Sequence, residues 1–579
     1  MCGIVGYIGR REATPLLIQG LKRLEYRGYD SFGIATVGSE IDVFKKQGRI
    51  SESEAGTVVL GGSVGIGHTR WATHGEPNDS NAHPHTDCTG RLALVHNGVI
   101  ENYIELKKQL LERGHIFRSE TDTEVIVHLL EENFTGDLLE AVKKTVPLLE
   151  GSYAILAVSA HDDRIVAARD CSPLVLGIGD GELFAASDMT PLLEHTERII
   201  FLEDGDIAEI SPERVEIYHD GAKVERSVEL VNWGIEDAKK GGFAHYMLKE
   251  IFEQPQAFYE TIRAGISDAV QEMIRDAEEI TLVACGTSYH TALIFKYLAE
   301  PLCRIPVRVE LGSEFKYYPP PLRGLVIAVT QSGETADTIA ALKMAKAHNC
   351  PTLAITNVQG STVTRIADTT LMMRAGPEIS VAATKSYIAQ LAALMEIVNV
   401  RCDGKYDDLL QHAHLAIGEV LLQEMQGAVA LCREAEHVFF VGRGPFYPVS
   451  MEGALKMKEI SYVHAEGYAA GELKHGPFAL LTPETPVVAI CPPGSTYGVM
   501  ISNIKEMKAR RAPIIALGKK GDTELAEIVD IFIPIPDSDP MVQVLTTSVA
   551  LQLLSYHTAC ALARDVDKPR NLAKSVTVE

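Results

Sequence analysis

A short apolar strand, a glycine-containing turn and a helix follow one another in this chain, and the same succession returns roughly 160 residues later. ITLVACGTS at Ile280–Ser288 is matched by HVFFVGRGP at His437–Pro445. GLVIAVTQSG (Gly324–Gly333) and CPTLAITN (Cys350–Asn357) find counterparts in TPVVAICPPGS (Thr485–Ser495) and APIIALGKKG (Ala512–Gly521). Strands of about five apolar residues with no polar alternation are buried on both faces, so helices must cover both sides of a parallel sheet. Two copies of one α/β domain account for this part of the chain.

The first 240 residues read differently. Helices are predicted around Leu16–Leu24 and Thr123–Glu132, and strands at Leu92–Val95, Ala154–Val158, Leu174–Ile178 and Ile199–Phe201. Short strands joined by turns favour antiparallel sheets. The polar, Gly-containing run Asn232–Phe243 reads as a linker. With 579 residues, the chain has room for three or four domains. The predicted segments are 1–240, 241–405 and 406–579.

Composition narrows the function classes. A formal net charge of −24 disfavours nucleic acid and anionic membrane surfaces, both of which need a positive face. The ten cysteines form no CxxC pair, so neither a zinc ribbon nor a disulfide framework is expected. Met541–Ala563 contains no Asp, Glu, Lys or Arg and is long enough to span a bilayer, but its Gln, Ser, Thr and His residues favour a buried or subunit-interface helix. The opening MCGIVGYIGRREA lacks the features of a signal peptide, and a cytoplasmic location is expected.

Cys2 would carry both a thiol and a free α-amino group if Met1 were removed, which makes a nucleophile with its own base. The clusters HTRWATHG (His68–Gly75), NAHPH (Asn81–His85), HNGVIEN (His96–Asn102) and SETDTE (Ser119–Glu124) suit an amino-acid substrate. Arg70 can pair with an α-carboxylate, Asp122 with an α-ammonium, and Asn97 with the Gly98 N–H can stabilise an oxyanion. The spacing of Cys2 and the loop histidines is not that of metal ligands, and no metal is expected. Together with LEYRGYDSFGIA, these motifs resemble the class II glutamine amidotransferase domain. The resemblance implies an N-terminal-nucleophile (Ntn) hydrolase αββα sandwich that converts glutamine to glutamate and ammonia through a thioester on Cys2. It assigns Asn97 and Gly98 to the oxyanion hole and Arg70, Trp71, Thr73, His74 and Asp122 to glutamine, with Arg27 and His83 nearby.

In the second half, CGTS (Cys285–Ser288) and TQSGETADT (Thr330–Thr338) each follow a strand and open a helix. Hydroxyls and N–H groups there can hold phosphate, although simple helix capping is the plain alternative. Glu452, Lys456 and Glu459 share one face of a helix that is otherwise largely apolar. Buried ionisable groups of this kind often mark active sites. GELKHGP contains Lys474 and His475, and the chain ends in DKPRNLAKSVTVE with Lys574 near its terminus.

CGTS, QSGETADT, EISVAATKS, EGALKMKEISY, ELKHGP and RNLAKSVTVE resemble the paired sugar-isomerase (SIS) domains of the glutamine–fructose-6-phosphate aminotransferase family. The resemblance implies doubly wound parallel-sheet α/β domains, a homodimer, no cofactor, and L-glutamine and D-fructose 6-phosphate as substrates. The product is glucosamine 6-phosphate, which opens hexosamine and UDP-N-acetylglucosamine biosynthesis. Thr287, Ser288, Thr330, Gln331, Ser332, Thr335 and Val381 are assigned to the sugar phosphate. Lys574 is assigned the Schiff base, His475 (reached from a neighbouring subunit) ring opening, Glu459 the proton transfer and Lys456 the developing negative charge. Trp71 would gate an ammonia channel. Thr330 and Ala383 stand where the family commonly has Ser. A deglycase or isomerase-like enzyme with a non-productive glutaminase domain is the alternative, and the intact Cys2, Asn97 and Asp122 argue against it. A sugar-sensing regulator and a phosphoribosyl amidotransferase are further rivals. The first conflicts with the net charge, and no phosphoribosyl-pyrophosphate loop supports the second.

Overall fold

The computed structural model describes residues 2–160, 162–231 and 240–576. These residues form two compact units, one within Met1–Ala238 and Ala573–Glu579, the other within Lys239–Leu572. Most of the linker predicted at 232–243 lies outside the described residues.

The amino-terminal unit contains an eight-stranded and a seven-stranded sheet. The described pairings within both sheets are antiparallel. Ile4, Ile66, Val95, Ala154 and Leu156 from the two sheets meet in one dry layer. The helix Ala13–Leu24 covers the first sheet, while Glu124–Asn133 and Leu138–Thr145 cover the second. The result is the αββα sandwich expected from the motifs. The strand predicted at Leu92–Val95 continues to Ile100. Its polar His96–Asn97–Gly98 stretch stays in the ladder because Ala154 and Tyr153 of the neighbouring strand pair with Asn97 and Gly98. Tertiary pairing thus overrides local composition.

The second unit holds both α/β copies. Each has a five-stranded parallel sheet, and in each the order is 2-1-3-4-5. The first copy uses Ile280–Ala284, Val307–Leu311, Leu325–Val329, Thr352–Thr356 and Thr369–Met372. The second uses His437–Gly442, His464–Ala469, Val487–Ile490, Ile514–Lys519 and Ile531–Ile535. In a doubly wound sheet of this order, ligands bind beyond the carboxyl ends of strands one and three, where the winding reverses. CGTS and TQSG follow those two strands of the first copy.

One continuous core runs through both copies. The uncharged stretch near the C-terminus forms the helix Pro540–Ala561, nearly all of it buried. Several of its hydroxyls are satisfied within the helix: Thr547 donates to the Gln543 carbonyl at 2.6 Å and Ser548 to that of Val544 at 2.7 Å. Among the described residues no helix is long and apolar enough to cross a membrane.

Candidate functional site: a cysteine pocket and a buried lysine cluster

Cys2 immediately precedes the strand Gly3–Ile8, whose neighbour Val64–Arg70 leads into Trp71. The Trp71 N–H donates to Cys2 Sγ at 3.3 Å, and the thiol faces the Trp71 carbonyl at 3.5 Å. Burial pushes the Cys2 thiol above its ordinary pKa, against the opposing pull of the Trp71 N–H and the Arg70 guanidinium. Such a thiol stays protonated at neutral pH and needs a base to become a nucleophile.

The second sheet contributes the polar end of Leu92–Ile100. Asn97 Nδ2 donates to the Cys2 carbonyl at 3.1 Å. Gly98 has φ +132, and a Cβ there would sit 1.9 Å from the Ser152 carbonyl oxygen, so only glycine fits. Asp122 is buried and accepts from the Ile100 N–H at 2.8 Å, and its other oxygen lies 3.9 Å from His74 Nδ1. Arg70, also buried, donates to the carbonyls of His74 and Gly75, the latter at 2.9 Å. It therefore braces the 74–76 loop. Thr73 is exposed, with its hydroxyl 3.4 Å from His74 Nδ1. Trp71 stands edge-on to Tyr29, with ring centroids 5.6 Å apart.

His68, His83 and His96 do not line a ligand shell. His83 stacks on His68 at 4.0 Å, and His68 Nε2 lies 2.9 Å from the His96 carbonyl oxygen. Burial lowers the pKa of all three, so they are neutral structural groups. Arg27 pairs with Asp188 at 2.6 Å.

In the second unit the two copies meet through corresponding helices, each following its first strand: Gly286–Cys303 and Phe446–Ser461. Lys456 is 1% exposed and lies 3.4 Å from Glu452 and 2.5 Å from Glu459. Its ammonium also donates to Thr287 Oγ1 at 3.1 Å, and the Thr287 hydroxyl donates to Glu452 at 3.1 Å. His290 Nδ1 is 2.7 Å from the other Glu452 oxygen. Burial alone would lower the lysine pKa, but the two carboxylates outweigh it and hold Lys456 charged well above its usual range. Burial likewise opposes ionisation of Glu452, and Lys456 and His290 reverse that effect. Sequence spacing had placed Glu452, Lys456 and Glu459 on one face; the structure adds Thr287 and His290 from the other copy.

Ser288 accepts from Gln390 Nε2 at 2.8 Å. Thr330 and Thr335 share a hydroxyl contact of 3.1 Å across their turn, and the Gly333 N–H donates to Thr330 Oγ1 at 3.3 Å. Gly333, at φ +70, would place a Cβ 2.0 Å from Ser361 Oγ. Gln331 is fixed by its carbonyl, which accepts from the Asn357 N–H at 3.1 Å, and Ser332 Oγ accepts from the Glu334 N–H at 3.1 Å. Val381 lies in a loop held by two buried carboxylates: Glu378 accepts from the N–H groups of Thr384 and Ser386, and Glu250 from that of Ser380. Ala383 is half-buried in the same loop.

Two further assigned residues come from other segments of the chain. His475 is exposed at the end of a single helical turn, Glu472–His475. Lys574 is half-buried in a short tail whose described residues group with the amino-terminal unit. His290 and Gln390 were missed from sequence. His290 lies three residues after Thr287, on the same helical face, and Gln390 is one of two amides in a largely apolar helix, Lys385–Arg401; both were readable signals.

The fold and these two sites define an amidotransferase unit joined to a pair of SIS domains. A glutamine amidotransferase domain family matches residues 68–194, and the SIS domain family matches 273–400 and 431–562. Glutamine–fructose-6-phosphate aminotransferase [isomerizing] of Thermococcus kodakarensis is 49% identical, with 100% of both chains covered. Its namesakes in Pyrococcus horikoshii and Thermus thermophilus are 48% and 46% identical, again over 100% of both chains. The solved C-terminal domain of glucosamine-fructose-6-phosphate aminotransferase from Francisella tularensis is 36% identical, with a TM-score of 0.53, covering 57% of this chain and 100% of that one. The chain belongs to the isomerising glutamine–fructose-6-phosphate aminotransferase family and is an enzyme of that family.

Proposed function

We propose that the chain converts L-glutamine and D-fructose 6-phosphate to L-glutamate and D-glucosamine 6-phosphate. What carries the reading is the presence, in one chain, of a thiol pocket suited to amide hydrolysis and a buried charged cluster at a sugar-phosphate type of switch point. Cys2 attacks the side-chain amide of glutamine once its proton passes to a base, its own α-amine when Met1 is absent. Asn97 Nδ2 and the Gly98 N–H receive the oxyanion. Collapse expels ammonia and leaves a thioester, which water cleaves to glutamate. Arg70 takes the substrate carboxylate and Asp122 its ammonium, with Trp71, Thr73 and His74 around them.

In the second unit, Thr287, Ser288, Thr330, Gln331, Ser332, Thr335 and Val381 hold the sugar phosphate. Lys574 forms an imine at C2 of the open-chain ketose, releasing water, and ammonia displaces the lysine. Glu459 removes a proton from C1 and returns one to C2. Lys456, charged and fixed beside Glu459, stabilises the negative charge that develops between these steps. His475, exposed on its own chain, serves ring opening in a second copy, so the working form is a homodimer, placed in the cytoplasm.

The test is glucosamine 6-phosphate formation from glutamine and fructose 6-phosphate by the full chain and by Cys2→Ala. Product in the first and none in the second is expected. Glutamate release without any amino sugar would overturn the acceptor assignment. For the dimer, mixing inactive His475→Ala with inactive Glu459→Gln should restore part of the activity; no recovery would place His475 in its own chain's site.

A further inference from the structure

We propose that Cys88, His115, His128 and Glu131 form a closed structural site for a zinc-class divalent ion in the amino-terminal unit. None of the four belongs to the glutamine pocket. They come from three separate segments: the turn after the strand His85–Thr86, the loop after the helix Tyr103–Glu112, and the helix Glu124–Asn133. Their donor atoms all lie within 4.8 Å of one another. Cys88 Sγ is 3.8 Å from His115 Nδ1 and 3.7 Å from His128 Nδ1. Glu131 Oε2 is 3.0 Å from the first imidazole and 3.1 Å from the second. A tetrahedral zinc ion with Zn–S near ~2.3 Å and Zn–N or Zn–O near ~2.0–2.1 Å has donor–donor edges of roughly 3.3–3.6 Å. Those four donor–donor distances reach such edges with shifts of a few tenths of an ångström.

The surroundings carry further features that suit a metal. Both histidines turn Nδ1 to the cluster and Nε2 outward to carboxylates, His115 toward Glu132 at 3.4 Å and His128 toward Glu124 at 3.8 Å. A carboxylate behind a metal-binding imidazole, as Glu132 stands behind His115, favours the tautomer with the proton on Nε2. The Ile116 N–H donates to Cys88 Sγ at 3.4 Å. The His128 side chain is 1% exposed and packs edge-on against Phe117. Thiolate and imidazole donors select zinc or cobalt over magnesium or calcium. Binding releases the thiol proton to solvent, and one thiolate, one carboxylate and two neutral imidazoles then balance a divalent charge. The ion would tie together the three segments, including the helix that directly follows Asp122 and Thr123. The absence of metal expected from sequence rested on Cys2 and the loop histidines, which are not these residues.

The test uses the full-length chain, stripped with chelator and titrated with Co2+ alone. One equivalent should bind with tetrahedral visible bands and a near-ultraviolet thiolate-to-cobalt band, both bleached by Zn2+. Cys88→Ser should lose the near-ultraviolet band. Cys2→Ala and Cys171→Ser, the latter from the nearby-carboxylate group Asp170, Cys171 and Asp204, should keep it. Glu132→Gln should weaken Co2+ binding by about 10–100-fold. Zn2+ should raise the thermal midpoint of the wild-type chain and leave Cys88→Ser unmoved. A thiolate band that survives in Cys88→Ser, or no stoichiometric binding to the wild-type chain, would overturn the proposal. His115→Asn is a second variant should the serine change disturb folding: retention of the tetrahedral bands in it would also count against the site.

Discussion

The two α/β copies share strand order, parallel pairing and corresponding helices, yet they carry different chemistry. In the first, the turns after strands one and three read CGTS and TQSGETADT, dense in hydroxyls; in the second they read GRGP and CPPGS. The second copy instead places Glu452, Lys456 and Glu459 on the helix after its first strand, where the first copy has Thr287 and His290. The Lys456–Thr287 and Glu452–His290 contacts join these corresponding helices. One backbone arrangement is present twice, and different side chains give the first copy hydroxyl-rich turns and the second a charge cluster. A fold specifies where a site can lie, and the side chains at the switch point specify what it does.

The sharpest way to break this comparison is Lys456→Met. It leaves Glu452 buried opposite Glu459 with no cation between them. A loss of about 3–5 kcal/mol is expected, because one partner of a buried pair remains uncompensated. Amino-sugar formation should vanish with it, while glutamine hydrolysis by the other unit continues. Denaturant unfolding and separate assays of the two activities check this, and an unchanged midpoint would mean the cluster is not held by charge. Next in size is Thr287→Val, which removes the hydroxyl that links Lys456 to Glu452. A cost of about 1–3 kcal/mol is expected from the unsatisfied buried partners, read from the same unfolding curve.

Glu396 sharpens the comparison through pH. Burial, with Asp407 adding to it, pushes its carboxyl up to about 7. The corresponding helix of the second copy, Pro540–Ala561, carries no acidic residue after its proline. A carboxyl whose folded pKa is raised binds its proton more tightly in the folded state, so stability declines as pH rises from the ordinary carboxylate range toward 7. Glu396→Gln should therefore raise the thermal midpoint at pH 8 and leave it nearly unchanged at pH 5. An equal rise at both would remove the titration argument. The smallest effect belongs to Ser495→Ala in the second copy's CPPGS turn. Stability and fructose 6-phosphate binding should stay within about 0.5 kcal/mol of wild type, whereas Ser288→Ala in the first copy should weaken binding measurably. Equal losses would mean that both turns bind the anion.

Much of this architecture was readable in the chain. Uniformly apolar five-residue strands before Gly-containing turns determined parallel α/β sheets, because no other arrangement buries both faces of such strands. The repeat determined that there are two of them. The spacing of Glu452, Lys456 and Glu459 determined a shared helical face, and the charge-free final helix announced its own burial. Cys2, Asn97 and Asp122 were legible as residue types suited to one reaction.

Only the tertiary structure decided what these groups meet. That Lys456 is clasped by two carboxylates and by a hydroxyl from 169 residues away depends on how the two copies pack, which no local pattern encodes. That His96–Asn97–Gly98 continues a strand depends on the neighbour it pairs with. The same holds for Cys88, His115, His128 and Glu131, which look unrelated in sequence because their segments are separated by a strand, a helix and a loop. Local sequence sets helix, strand and turn through short-range sterics and burial periodicity. Convergence of side chains from distant segments is a property of packing, and it exists only once the core has closed.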